Sequence, residues 1–179
     1  MTMTTSRCTV RALTPTEAEA ALPALCEILI DSVEGGAAVS FIVPMTMEKA
    51  LPFWKSALAS HARGERVLLV AEMDGRIEGT VQVVFAPQEN QDYRSDIAKM
   101  LVHSRARRQG IGEALLRAAE DCSRDHGRNL IVLDTQTDGP GDRLYSRCGW
   151  IKFGEIPDFA WNASGKFREA ASFYYKVVG

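Results

Sequence analysis

The residues best suited to chemistry lie in one stretch, Met100–Leu116, MLVHSRARRQGIGEALL. An apolar segment ends near His103, six residues lead to Gly110, and three of those six are Arg105, Arg107 and Arg108. Gly110-Ile111-Gly112 then opens a helical pattern. Glycines let a backbone approach a ligand closely. The first turn of a helix offers unpaired N–H groups at the positive end of its dipole. Flanking arginines add charge-assisted contacts. This is the chemistry of a pyrophosphate site; the alternative is a glycine-containing loop with solvated arginines. Two known phosphate loops fail here. A P-loop needs Gly-Lys-Ser/Thr before the helix, and Gly112 is followed by Glu113. The dinucleotide fingerprint fits at its first two glycines, and Asp134 lies 22 residues after Gly112 as a candidate ribose-binding acid. Its third glycine position, however, is Leu115, and six residues separate the strand from the first glycine.

The elements that must hold this stretch follow from periodicity. Thr14-Pro15-Thr16-Glu17 reads as an N-cap, a proline at the first helical position and the Glu of a capping box. Ala18, Ala21, Leu22, Leu25 and Leu29 continue at helical spacing, with Pro23 expected to kink or split the helix before Gly35-Gly36 ends it. A second helical region, Met47 to His61, is interrupted by Pro52. Val10 to Leu13 and the apolar run Val67 to Met73 read as strands. Asp74-Gly75 marks a hairpin turn into an alternating strand from Ile77 to Phe85. Asp92 to His103 reads as a further strand. Ile111, Ala114, Leu115, Ala118, Ala119 and Cys122 form the strongest helical stripe, closed by His126-Gly127. A buried strand (Leu130 to Leu133) and a short helix (Gly139 to Arg147) come next. Strands near Ile151 to Ile156 and Ala170 to Val178 close the pattern, joined by a polar loop. A β-meander followed by strand–helix–strand implies a mixed α/β or α+β fold.

Composition bounds the function. The 179 residues carry 21 Lys+Arg against 23 Asp+Glu, a net charge of −2, which argues against a whole-surface nucleic-acid or membrane binder. A hydrophobic share of 46% allows an ordinary core without a metal or disulfide staple. Cys8, Cys26, Cys122 and Cys148 form no CxxC pair and have no His at zinc-ligand spacing, so reduced core residues are expected. Met1 to Val10 lacks the apolar core of a signal peptide, and the longest apolar run, Val67 to Ala71, is far too short to span a membrane. A cytoplasmic protein is expected.

Arg107-Arg108-Gln109-Gly110-Ile111-Gly112 resembles the coenzyme A signature of the GNAT superfamily of N-acetyltransferases: Arg or Gln, two residues, Gly, one residue, then Gly or Ala. Leu144-Tyr145-Ser146-Arg147-Cys148-Gly149-Trp150 resembles the family's second signature, and the Phe173-Tyr174-Tyr175-Lys176 ending also fits. Within the superfamily, His103–Arg108, Asp134-Thr135, Gly149-Trp150 and Ile156-Pro157 look most like the tabtoxin-resistance type. Two positions depart: where members often carry Asn and Ala ahead of the Tyr, this chain has Asp138 and Gly141.

The resemblance implies a GNAT-like fold: a mixed, mostly antiparallel central sheet of about seven strands flanked by about four helices. Residues 1–179 would form a single acyl-CoA N-acyltransferase domain. Acetyl-CoA would be used without a metal. Pantetheine would lie along Met100, Leu101 and Val102, and the pyrophosphate would be cradled by Arg107, Arg108, Gln109, Gly110, Ile111 and Gly112, with Glu113 at the helix start. Tyr145 would be the general acid, since a phenol stays protonated at neutral pH; otherwise it is a packed helix residue. Asp96 is the candidate base, six residues before Val102; an extended strand puts 96, 98, 100 and 102 on one face. Its alternative is a solvated strand-start carboxylate. Parity sets His103 on the other face. Asp31, Glu34 and Phe41 would border the acceptor amine, with the loop Asp158 to Arg168 and Trp161 on the other side. These are equally ordinary surface residues. The acceptor would be a small amine, amino-acid-like or antibiotic/toxin-like, attacked directly in a ternary complex, because no Cys or Ser is placed to carry an acyl group. A non-catalytic acyl-CoA sensor and a protein or peptide N-acetyltransferase remain as alternatives, and a homodimer is compatible with the family.

Overall fold

The computed structural model describes residues 8–179, so most of the segment Met1–Val10 lies outside the described residues. Among the described residues, seven strands form one sheet: β1 (Thr9–Ala12), β2 (Arg66–Met73), β3 (Arg76–Phe85), β4 (Arg94–Val102), β5 (Leu130–Gln136), β6 (Ile151–Trp161) and β7 (Arg168–Val177). Their spatial order is β1-β2-β3-β4-β5-β7-β6. All neighbours are antiparallel except β4 and β5. Four helices flank the sheet: α1 (Pro15–Glu34), α2 (Met47–Ala62), α3 (Ile111–Asp125) and α4 (Pro140–Arg147). The mixed, mostly antiparallel sheet with four helices is thus as the sequence implies.

Two cores divide the sheet faces. Leu69, Val81, Ile97 and Ile131 pack with Ile111, Leu115 and Tyr145 of α3 and α4. Leu68, Val70 and Leu101 pack with Leu25, Ile28 and Trp54 of α1 and α2. Gly79 sets how closely α3 approaches. A Cβ there would lie 2.9 Å from Leu115 Cδ1 and 3.1 Å from the Leu101 carbonyl oxygen. The capping box forms as read: Thr14 Oγ1 accepts from the Glu17 N–H and Glu17 Oε2 accepts from the Thr14 N–H.

Four expectations need correction. Pro23 and Pro52 do not split their helices, which run unbroken through them. Both prolines are exposed, so each carbonyl that loses its partner faces water. The last inter-strand loop is also shorter than expected. β6 continues to Trp161 because Pro157 and Asp158 (φ 53°) sit in a bulge between Ile156 and Ala160.

The third correction reaches the site. The β3–β4 register steps from Thr80–Leu101 to Gln82–Ala98, and Lys99 takes the left-handed conformation at φ 48°. This bulge inverts parity along β4. Ser95 and Ile97 face α3 ahead of it, whereas Met100 and Val102 do so after it. Asp96 and Val102 therefore do not share a face, and Asp96 goes with Leu101 on the α1–α2 side. Lastly, the arginines of the loop after β4 do not act together, as described next.

Candidate active site

β4 and β5 run side by side for only three pairs, Arg94–Leu130, Ser95–Ile131 and Asp96–Val132. Beyond them the strands part. From Ile97 to Val102, β4 is paired only with β3, and from Leu133 to Gln136, β5 is paired only with β7. The notch between them opens at the carboxyl ends of two parallel strands, where open α/β sheets bind ligands. It exposes backbone hydrogen-bonding groups that an extended ligand can pair with. Met100, Leu101 and Val102 lie on this segment.

The loop after β4 carries the notch to α3. A 3-10 turn, Ser104–Ala106, is followed by Arg107, by Arg108 at φ 64° and by Gly110 at φ 80°. No side chain caps α3, and the first backbone bond into it is Ala114 N–H to the Gly110 carbonyl. The N–H groups of Ile111, Gly112 and Glu113 are thus left by the helix for another partner. Gly112 also lets α4 come near, since a Cβ there would meet Leu144 Cδ2 at 3.3 Å. The arginines have separate fates. Arg105 is not a phosphate ligand in this arrangement: its Nε donates to Glu78 Oε2 at 2.8 Å and its Nη1 reaches Glu27. The buried Glu78 carboxylate demands that partner. Arg107 folds back, with Nε donating to the Val102 carbonyl at 3.1 Å. Arg108 and Gln109 are exposed, and Glu113 pairs with Arg117 at 2.7 Å.

Tyr145 is almost fully buried beneath the notch, 5.8 Å from the Trp150 ring and 5.9 Å from that of Tyr174. Burial drives its pKa upward, and the charge of Asp134 adds to the effect. Its hydroxyl makes no hydrogen bond among the described residues, whereas the neighbouring Tyr174 hydroxyl is held by Asp142 and Ser146. Of the two phenols, Tyr145 is the one whose hydroxyl is not engaged among the described residues. Gly141 brings α4 against β5 at this point: a Cβ there would lie 2.6 Å from Thr135 Oγ1 and 3.3 Å from Tyr145 Cε2. Asp138, the other departure, is tied through its backbone, its N–H donating to Asp142 Oδ2 at 2.9 Å.

Asp96 accepts from Arg94 Nη1 at 3.2 Å. Burial raises its pKa, Arg94 opposes the shift, and Asp134 adds to it. Burial likewise lowers the pKa of Lys99, with Asp134 opposing. Asp134, two residues beyond the last β5 residue paired with β4, is thus the charge that Asp96, Lys99 and Tyr145 all feel.

On the α1–α2 side a cleft of about 260 Å³ adjoins the notch. Phe41, Asp134, Phe159, Trp161 and Glu169 are among its walls. Phe41 and Trp161 thus line one cleft together. Asp31 and Glu34 do not line the cleft. Asp31 accepts from the Ser104 N–H at 2.7 Å and from the Ser104 hydroxyl at 2.6 Å, pinning the loop after β4 to α1. Burial pushes its pKa up, but those two bonds, with His103 and Arg107 nearby, more than offset this and hold it low. Glu34 Oε1 accepts from the Met45 N–H at 2.6 Å and ties the α1–α2 connection. His103 is similarly engaged, 3.3 Å from Glu27 and 3.6 Å from Asp31.

Sequence reasoning missed Lys99 and Glu169, and read Asp134 as a candidate ribose-binding acid and part of a family motif rather than as a cleft residue. Strand alternation around Asp134 was the available signal; nothing marked the other two. The four cysteines are free, and burial raises every one of their thiol pKa values, that of Cys122 to about 11. None is thus set up as a thiolate nucleophile. No group of three or more metal-ligating side chains occurs among the described residues. No helix of the described residues is long and apolar enough to cross a membrane.

Comparison with known proteins gives a consistent family. A sequence profile described as "Acetyltransferase (GNAT) domain" matches residues 64–152. An Azospirillum brasilense protein, named as an uncharacterized N-acetyltransferase in the hisH-hisA intergenic region, is 30% identical over 146 residues, covering 76% of this chain and 82% of its own. The ribosomal-protein-alanine N-acetyltransferase of Brucella melitensis superposes with a TM-score of 0.78 at 23% identity, over 94% of this chain and 99% of that one. The Salmonella typhimurium protein yncA, described as a putative acetyltransferase with its cofactor acetyl-CoA, also gives 0.78, at 18% identity over 96% and 94%. At those identities the two structures speak for the fold.

Proposed function

The chain belongs to the GNAT family and is an N-acetyltransferase, and from that premise we propose that it moves the acetyl group of acetyl-CoA to the amine of a small molecule, by direct attack in a ternary complex. The observation that carries the proposal is the notch itself: one unpaired side of β4 from Ile97 to Val102, ending at the uncapped first turn of α3. A peptide-like pantetheine arm fits the first part, and a pyrophosphate fits the second. The Salmonella fold relative is described with acetyl-CoA. We assign residues 1–179 to one such domain and, on the motifs quoted above, to the tabtoxin-resistance type.

When bound, acetyl-CoA supplies a thioester carbonyl as electrophile. Backbone N–H groups of Met100–Val102 polarise that carbonyl. Asp96, its pKa raised by burial, takes the proton by which the substrate ammonium becomes a free amine. The amine nitrogen then bonds to the carbonyl carbon and the C–S bond breaks. Tyr145 gives its hydroxyl proton to the departing sulfur, and the proton shed by the new amide nitrogen restores it. Asp134 is a second candidate for the base, because it lines the cleft and Asp96 does not. Comparing Asp96→Asn with Asp134→Asn separates the two: only loss of the true base removes the acidic limb of the kcat/KM profile.

Calorimetry with acetyl-CoA, followed by thiol release in the presence of an amine panel, tests the whole reading. Binding and amine-dependent thiol release are expected. Absence of heat at millimolar acetyl-CoA overturns it. Binding without transfer to any amine points to a sensor, and transfer to peptides alone points to a protein acetyltransferase.

A further inference from the structure

The cleft beside the notch has an uneven charge balance. Its walls carry Asp134 and Glu169 but no Lys, Arg or His. Glu169 Oε2 is buried there without a hydrogen-bond partner. Burying that oxygen without a donor costs free energy, and a ligand cation attracted to the same carboxylate from the cleft offsets part of the cost. Lys99, on β4, does not line the cleft but reaches one of its wall residues. It is engaged already: its Nζ donates to Ser40 Oγ at 3.2 Å and sits 5.4 Å from the centre of the Phe53 ring. Arg168, next in sequence to Glu169, pairs with Asp158 at 3.9 Å. Apart from the uncharged Ser40, Thr135 and Gln136, the rest of the lining is apolar and aromatic. Phe159 and Trp161 are 47% and 53% exposed, with large ring area open to a ligand.

We infer that this cleft selects a small primary amine with an aromatic or branched apolar body and no carboxylate beside the nitrogen, and that Glu169 sets that preference. The inference rests on the proposed acetyl transfer, with the cleft as its acceptor side. A cation is drawn by both carboxylates, and the aromatic walls cover the body of the molecule. An amino acid brings a carboxylate into a space that already holds two, with no basic side chain on the walls to receive it. At about 260 Å³ the cleft lies just below the range usual for drug-sized ligands, so the acceptor is small. Glu169 thereby acts on binding rather than on the chemical step.

The test compares amines with the amino acids that differ from them only by a carboxylate: 2-phenylethylamine with phenylalanine, tryptamine with tryptophan, and 3-methylbutylamine with leucine. Thiol release from acetyl-CoA is followed for each. The amine of each pair should have the higher kcat/KM, by about 100-fold or more, a difference of about 2.7 kcal/mol. Glu169→Gln should raise KM for the amines about 10-fold or more, leave kcat within about twofold, and leave acetyl-CoA affinity unchanged. Trp161→Ala, at an exposed position outside both cores, should raise KM for the aromatic amines more than for 3-methylbutylamine. Amino acids used as well as their amines overturn the inference, whatever the variants do. So does an amine KM unmoved by Glu169→Gln in a variant with a wild-type melting curve. If acetyl-CoA binds and none of these amines is acetylated, the acceptor class is wrong while the cofactor reading stands. If acetyl-CoA does not bind, the underlying reading is the one that fails.

Discussion

Replacing Gly141 by alanine sets two effects against each other. Gly141 is the second residue of α4, and its backbone is not in the left-handed region. On propensity alone, alanine should gain up to about 1 kcal/mol. The new Cβ, however, would lie 2.6 Å from Thr135 Oγ1, 3.3 Å from Tyr145 Cε2 and 3.6 Å from Thr135 Cβ. The first contact is far inside van der Waals range, and the helix must move away from β5 to relieve it. Overpacking of this kind costs about 1–3 kcal/mol. The net expectation is a loss of about 1 kcal/mol, or about 2–4 °C in Tm for a chain of this size. Because Tyr145 is the second neighbour met, kcat should fall as well. Thr135→Ala removes the closest atom and leaves the 3.3 Å contact to Tyr145 Cε2, which a small ring shift relieves, and the ordinary 3.6 Å contact to Cβ. The double variant should then be more stable than Thr135→Ala alone, with a coupling energy of about 1–2 kcal/mol. Urea unfolding with an unchanged m-value is the assay. Equal destabilisation by Gly141→Ala in both backgrounds would refute the reasoning, since Thr135 would then not be the obstacle.

Tyr145→Phe should lower kcat by about 10²–10⁴ while calorimetry shows acetyl-CoA affinity within about twofold; an unchanged kcat would remove Tyr145 from proton transfer. Asp96→Asn addresses pH. The folded pKa of Asp96 is raised, so its contribution to stability is full below the unfolded value, about 3.9, and is lost as pH rises through the folded one. The variant should therefore gain on wild type in thermal melts as pH rises to neutrality, and the gain should vanish near pH 3. A gain that grows on acidification contradicts the raised pKa. Arg105→Ala should cost about 2 kcal/mol in unfolding free energy, by leaving Glu78 with only Arg76 at 3.8 Å, and should hardly change acetyl-CoA affinity. Arg107→Ala should do the reverse, weakening acetyl-CoA about 3–10-fold at nearly unchanged stability; the opposite pattern would return Arg105 to the phosphates.

Much of the scaffold was readable because local rules and global packing agree there. The α3 stripe, the Asp74-Gly75 hairpin and the Thr14–Glu17 capping box all appear as read. The site was less readable, because its geometry depends on exceptions. Lys99 adopts a left-handed conformation that its residue type does not announce, and that one residue reverses which face Asp96 shares. Arg105 reads as phosphate-binding until Glu78, 27 residues away in sequence, is seen to be buried beside it. The strand read near Ile151 to Ile156 runs on through a bulge at Pro157, which lets β6 carry Trp161 to the cleft. Asp31 has the right charge near the right place, but its oxygens are committed to Ser104. Pairing partners distant in sequence decide each of these cases.

The three-pair seam between β4 and β5 also has a mechanical meaning. One half of the sheet, with α1 and α2, is sewn to the other by three rungs and by whatever α3 contributes across its face. An extended ligand lying in the notch would act as an extra rung, so the load between the halves would pass partly through a molecule consumed at every turnover. The protein would then be stiffest when loaded and loosest just after product leaves. Exchange of substrate would coincide with the moment of least resistance, without a separate lid or hinge.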